Sequence, residues 1–178
     1  MGNTVRKVTL ILLVLSVIFS LASCKKVEAD YIFQIKNSDK SYSYSISNDT
    51  LEKISTVQYN TALNYGNSYS SCKYEVGIVN ISAQGIDPAE WEYSDEDNVP
   101  LDPEQKQIWA GRMKSMELPF TGSFDVMFYT FDDYMIVCAS KYDTKEMQYI
   151  ETNAVFHNDK LIGTITDLGT LSGLCKHH

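Results

Sequence analysis

The sequence predicts an α+β fold, mainly antiparallel β-sheet of sandwich or barrel-like type, with one clear helix near residues 103–117. Three observations carry this expectation. Short runs alternate between apolar and polar residues with period two and are separated by Asn, Asp, Ser and Gly, the pattern of half-buried strands joined by turns. One stretch holds the start and stop signals of a helix together. No Pro/Gly-rich linker divides the body and no repeat of 20–50 residues is visible, so residues 31–178 read as one β-rich globular domain.

Taken in order, residues 31–47 (YIFQIKNSDKSYSYSIS) alternate about a polar Ser-Asp-Lys break and read as a hairpin. Residues 51–65 carry mixed signals. Asp49 with Glu52 resembles a capping box, but ISTVQYNT is rich in β-branched residues, and strand is the expectation. Residues 73–82 read as a strand, followed by a long acidic connection over 86–104 in which eight of nineteen residues are acids. Asp102 then stands as N-cap, Pro103 at the first helical position and Gln105 at the third, ahead of Ile108, Trp109, Met113 and Met116 near one face. Residues 123–141 read as two strands about Asp132-Asp133. Both faces are largely apolar, which makes the pair central. Residues 147–156 and 161–167 form another pair about His157–Lys160. The tail, LGTLSGLCKHH, reads as small and polar.

The 178 residues carry 15 Lys+Arg against 23 Asp+Glu, a formal charge of −8. That balance argues against a general nucleic-acid binder, which needs clustered cations for phosphate contacts. Hydrophobic residues at 44% argue against wholesale disorder.

The first residues have their own logic. Arg6 and Lys7 precede residues 8–22, fifteen residues without a charge. As a helix these rise about 22 Å, short of the ~30 Å hydrocarbon core, and small residues follow, as in a secretory signal peptide. Leu21-Ala22-Ser23-Cys24 resembles the lipobox of bacterial lipoprotein precursors. The resemblance covers residues 1–24 only. It implies that 1–23 are removed, that the Cys24 thiol carries a diacylglycerol, and that 24–30 form a lipidated tether to the cell membrane or outer membrane. Lys25, where enteric-type bacteria place an Asp to retain a lipoprotein at the inner membrane, does not match that signal. Removing 1–23 takes away two bases and no acid, so the exported body is more acidic still. Myristoylation fits poorly, because Arg6 stands where Ser or Thr is wanted.

Four cysteines stand at 24, 72, 138 and 175. With Cys24 lipidated, three remain, and an oxidising compartment permits a disulfide. Of the three pairings Cys72–Cys175 is favoured, because both lie in Ser- and Gly-flanked stretches while Cys138 lies in an apolar strand.

Signatures of chemistry are sparse. GxSxG, HExxH, GxxxxGK[ST] and GxGxxG are absent, and no catalytic residue, metal ligand or cofactor is assigned. His157 is the one histidine away from the C-terminus and reads as a solvated turn residue. Asp95–Asn98 resembles the start of a calcium loop, but Pro100 replaces the required glycine and Lys106 the closing glutamate. Residues 41–75 hold six Tyr, eight Ser and four Asn, a composition that suits recognition of a protein or a glycan and equally suits an exposed sheet face. Tyr42, Tyr44, Tyr59, Tyr65, Tyr69 and Trp91 are the candidate partner-binding residues, while Trp109 is expected in the core. The leading expectation is a cell-envelope lipoprotein, anchored at Cys24, that acts as a non-catalytic binding or accessory module for a protein or envelope polymer. The alternatives are an envelope hydrolase with an unrecognised site and a lipocalin-like carrier of a small ligand.

Overall fold

The computed structural model describes residues 27–64, 68–119 and 121–178. The segment 1–23, Cys24 and Tyr65 lie outside them. In chain order the strands are β1 (Tyr31–Asn37), β2 (Lys40–Ser47), β3 (Thr50–Ile54), β4 (Tyr69–Ser71), β5 (Glu75–Ala83) and β6 (Glu92–Ser94), then β7 (Gly122–Phe131), β8 (Tyr134–Asp143), β9 (Gln148–His157), β10 (Lys160–Ile165) and β11 (Thr170–His177). The helices are α1 (Thr56–Asn64) and α2 (Pro103–Met116). The strands form two antiparallel sheets, ordered β3-β2-β1-β11-β4 and β10-β9-β8-β7-β5-β6. The fold is therefore α+β, a sandwich of two antiparallel sheets with a clear helix at 103–116.

Period-two alternation sorts each strand between two faces. Phe33, Ile35, Tyr44 and Ile46 of the first sheet meet Tyr129, Ile136 and Val155 of the second, filling the space between the sheets. The opposite face of the second sheet carries Val79, Ile81, Phe124, Val126, Val137 and Phe156, covered by Trp109, Met113 and Met116 of α2. The outer face of the first sheet, at Ile32 and Cys175, is covered by Tyr59 and Ala62 of α1. β7 and β8 lie inside the six-stranded sheet with buried residues on both faces, as expected of a central pair. At Gly77 the ring of paired Phe128 lies where a Cβ would stand, 2.2 Å from it, and Trp109 packs on that ring at 5.1 Å.

The turns follow from local chemistry. Asn48-Asp49 and Asn158-Asp159 take positive φ at both positions, as a tight hairpin of the I′ type requires. In α2, Asp102 caps the Gln105 N–H at 2.9 Å, Pro103 opens the helix, and Glu117 closes it in the left-handed region.

Three expectations are corrected. Residues 51–65 are not one strand: β3 ends at Ile54 and α1 follows. Ser55 and Gln58 form a reciprocal capping box, the Gln58 side chain accepting from Ser55 N at 3.0 Å and Ser55 Oγ accepting from Gln58 N at 3.1 Å. The tail, read as small and polar with no strand assigned, is a strand: β11 lies between β1 and β4, with Leu171 and Leu174 on the inner face. The packed body also begins before residue 31. Ala29 is buried, and the Tyr69 hydroxyl accepts from Ala29 N and bridges to the Val27 carbonyl.

Cys72, Cys138 and Cys175 are free thiols. Cys72 packs in the cluster between the sheets and Cys175 in the cluster under α1, so the pair favoured for a disulfide lies on opposite faces of the first sheet.

Candidate functional site

The inner face of the second sheet changes character along its length. Its cross-strand rows run Tyr129↔Ile136↔Val155, then Met127↔Cys138↔Asn153, then Asn80↔Asp125↔Ser140↔Glu151. Ser94 of β6 extends this third row to five strands. Outward of it on the same face stand Glu92, Ser82 and Ser123 on β6, β5 and β7, and Tyr142 and Tyr149 on β8 and β9, the β7–β8 pairing having ended at Asp125↔Ser140. Rows covered by the first sheet are apolar except for Asn153, and the two beyond it are polar and aromatic. The four long strands β5, β7, β8 and β9 switch at the same level, so the second sheet projects past the first as an open shelf.

The rim of the first sheet is fixed at this boundary. Asn153, fully buried, donates its side-chain amide to the carbonyls of Asp167 at 3.1 Å and Gly169 at 3.4 Å. Glu151 accepts from Gly169 N at 3.0 Å. Lys53 pairs with Asp167 at 2.6 Å, and the Tyr44 hydroxyl donates to the same carboxylate. Tyr44 ionisation is pushed well above its usual range, first by burial and then by that carboxylate. Burial likewise pushes the neighbouring Cys138 thiol up to about 12, so it is held protonated.

At the β6 side the shelf deepens into a trough of about 720 Å³ lined by Asn80, Ser82, Glu92, Ser94, Ser123 and Asp125, with Lys106 of α2 at its wall. Asn80 gives its amide to the Asp95 carbonyl at 2.8 Å, and its side-chain oxygen has no hydrogen-bond partner among the described residues. Glu92 and Asp125 are in no ion pair among the described residues. At the other side Tyr142 and Tyr149 pack edge to face at 5.2 Å and are 42% and 61% exposed.

The candidate residues from the sequence lie elsewhere. Tyr44, Tyr59 and Trp91 are buried, Trp91 donating to the Gly85 carbonyl at 3.2 Å. Tyr42 is half-buried beneath Lys53, and Tyr69 is held by the backbone of Val27 and Ala29. These rings build the packing and do not form a surface. Trp109 is core, as expected. The exposed tyrosine pair, Tyr142 and Tyr149, flanks a hairpin tip that composition over 41–75 could not indicate.

His157 is not a solvated turn residue. It ends β9, stacks on Tyr134 at 4.3 Å, and its Nδ1 faces Asp49 at 2.5 Å. Asn158 Nδ2 lies 3.2 Å from Nε2, so both ring nitrogens have a polar partner. Both ring nitrogens are spent on joining two hairpin turns. Among the described residues no three of His, Cys, Asp and Glu stand together as a metal site, and no helix is long and apolar enough to cross a membrane.

Compared with protein-family models, curated proteins and solved structures, the chain matches none.

Proposed function

We propose that this chain is a cell-envelope lipoprotein, exported and lipid-anchored at Cys24, whose β-sandwich is a non-catalytic binding module with the projecting shelf as its binding face. The anchor rests on the basic patch, the short apolar run and Leu21-Ala22-Ser23-Cys24. Two or three acyl chains hold a protein to a bilayer where one holds it only marginally.

One observation carries the binding reading. The first strand begins at Tyr31, just after the chain enters the fold at residues 27–30, and the Tyr31 hydroxyl donates to Asp132 in the β7–β8 turn. The shelf lies at the far end of that hairpin, at Asp125 and Ser140. Seven residues of strand separate Asp132 from Asp125, about 23 Å at ~3.3 Å each. A tether at one pole and an open polar face at the other suit a protein that presents a surface away from its membrane. The space that a lipocalin-like carrier would keep open is filled by side chains, and the one histidine away from the C-terminus is engaged at both nitrogens.

The test expresses the full chain and its Cys24→Ala variant in a bacterial host. Wild type is expected in the membrane fraction, with an N-terminal peptide whose mass includes a diacylglycerol on Cys24. The variant is expected to leave that fraction. Unchanged partitioning of Cys24→Ala overturns the anchoring.

A further inference from the structure

The shelf has a composition and a shape that together select a ligand. Its third row, Ser94-Asn80-Asp125-Ser140-Glu151, crosses five strands. At about 4.8 Å per strand it is roughly 19 Å long. Along the third row the backbone groups of β5, β7 and β8 are engaged in their own ladders, so a ligand lying there meets mainly side chains.

Those side chains demand a partner that both donates and accepts. The serine hydroxyls do either, the free oxygen of Asn80 accepts, and the carboxylates of Glu92 and Asp125 accept only. Phosphate and carboxylate groups accept only and would face the three carboxylates of Glu92, Asp125 and Glu151 against the single cation Lys106 that lines the trough, in a chain already at −8. A hydroxyl group meets every requirement without charge. Tyr142 and Tyr149 add two broad apolar ring faces in water beside these polar groups. A sugar ring has the same two-sided character, with C–H groups on its faces and hydroxyls at its edge.

Resting on the binding-module reading above, we infer that the shelf binds a run of an uncharged, hydroxyl-rich polysaccharide laid across the strands. Sugar rings stack on Tyr142 and Tyr149, and hydroxyls bond to Ser82, Ser123, Asp125 and Ser140. The open, elongated form takes a segment of polymer in preference to a single small molecule.

The test is affinity electrophoresis of the full-length chain in detergent, through native gels holding a neutral glucan, a neutral mannan or a neutral xylan. Polygalacturonate serves as anionic control, and decalysine is added as a competing cation. Retardation by at least one neutral polymer and none by polygalacturonate is expected. Tyr142→Ala and Tyr149→Ala should each weaken it about tenfold, and Asp125→Ala should weaken it too. Lys160→Ala, at the opposite pole, should not. Circular dichroism and urea midpoints of the shelf variants should match wild type, since these side chains are exposed. Absence of retardation by all three neutral polymers, or retardation that Tyr149→Ala leaves intact, overturns the inference. Decalysine binding that Tyr149→Ala weakens, without neutral-polymer binding, overturns the glycan and leaves the shelf as a binding face. Glycan binding that persists while Cys24→Ala stays membrane-bound overturns the anchor and leaves the glycan.

Discussion

The Tyr31 hydroxyl donates to the Asp132 carboxylate, 101 residues away, and so ties the first strand of one sheet to a hairpin turn of the other. Lys176 of β11 closes on the same carboxylate at 2.8 Å. Lys176 first and Tyr31 second hold the Asp132 carboxyl below its usual range, while burial and then Asp132 push the Tyr31 hydroxyl up to about 12.

A carboxyl depressed in the folded state adds stability above its unfolded value near 3.8, and that stability is lost as pH falls through the folded value. Asp132→Asn should therefore lower the urea midpoint at neutral pH, and the gap to wild type should close as pH falls below the ordinary carboxylate range. A gap that stays constant down to that pH would contradict the linkage. At the alkaline end, wild type should lose stability between about pH 10 and about 12 as Tyr31 ionises more readily unfolded than folded, and Tyr31→Phe should lose less.

Gly169 has φ +134°, and an added Cβ would stand 2.3 Å from the Lys36 carbonyl. Gly169→Ala should cost about 1–3 kcal/mol from backbone conformation alone, with the clash added. Equilibrium urea unfolding measures it. A loss under about 0.5 kcal/mol would show that the rim of the first sheet yields freely.

Asn153 is held by two hydrogen bonds from its amide, while its side-chain oxygen has no partner among the described residues. Asn153→Ala should cost about 1–3 kcal/mol, because the part-buried carbonyls of Asp167 and Gly169 lose their donor and a fully buried side chain is truncated. Hydrogen exchange at Gly169 and its neighbours should rise in the same variant; unchanged exchange would mean that the loop is held by Glu151 alone.

Met113 is 1% exposed, between α2 and the second sheet. Met113→Ala should cost about 2–5 kcal/mol, whereas exposed Val99→Ala should stay within about 0.5 kcal/mol. Similar midpoints for the two variants would mean that α2 is not integral to the core.

The sandwich was legible wherever alternation and turn chemistry agreed. The pairs about Ser38-Asp39, Asp132-Asp133 and Asn158-Asp159 fall where the sequence places them, and α2 follows from Asp102 and Pro103. Residues 55–64 misled because β-branched residues outweighed the Ser55–Gln58 capping box, a signal present in the sequence at the right spacing. The tail misled because β11 is stabilised by partners on both sides, and pairing with β1 and β4 overrides the weak propensity of its glycine and serines. The tyrosines of 41–75 misled for a different reason: composition is blind to which face a strand buries. The shelf had a trace in the sequence. Inner positions of β7 and β8 pass from Met127 to Asp125 and from Cys138 to Ser140, but only the register between strands makes those changes coincide.

The clamp of Tyr69 on Val27 and Ala29 leaves just Lys25 and Lys26 between Cys24 and the folded wall. Three residues of chain reach at most about 10 Å. With the proposed lipid at Cys24, the body would therefore have little freedom to swing, and its outermost surface would ride at a height dictated by the rigid length of β7 and β8, not by slack chain.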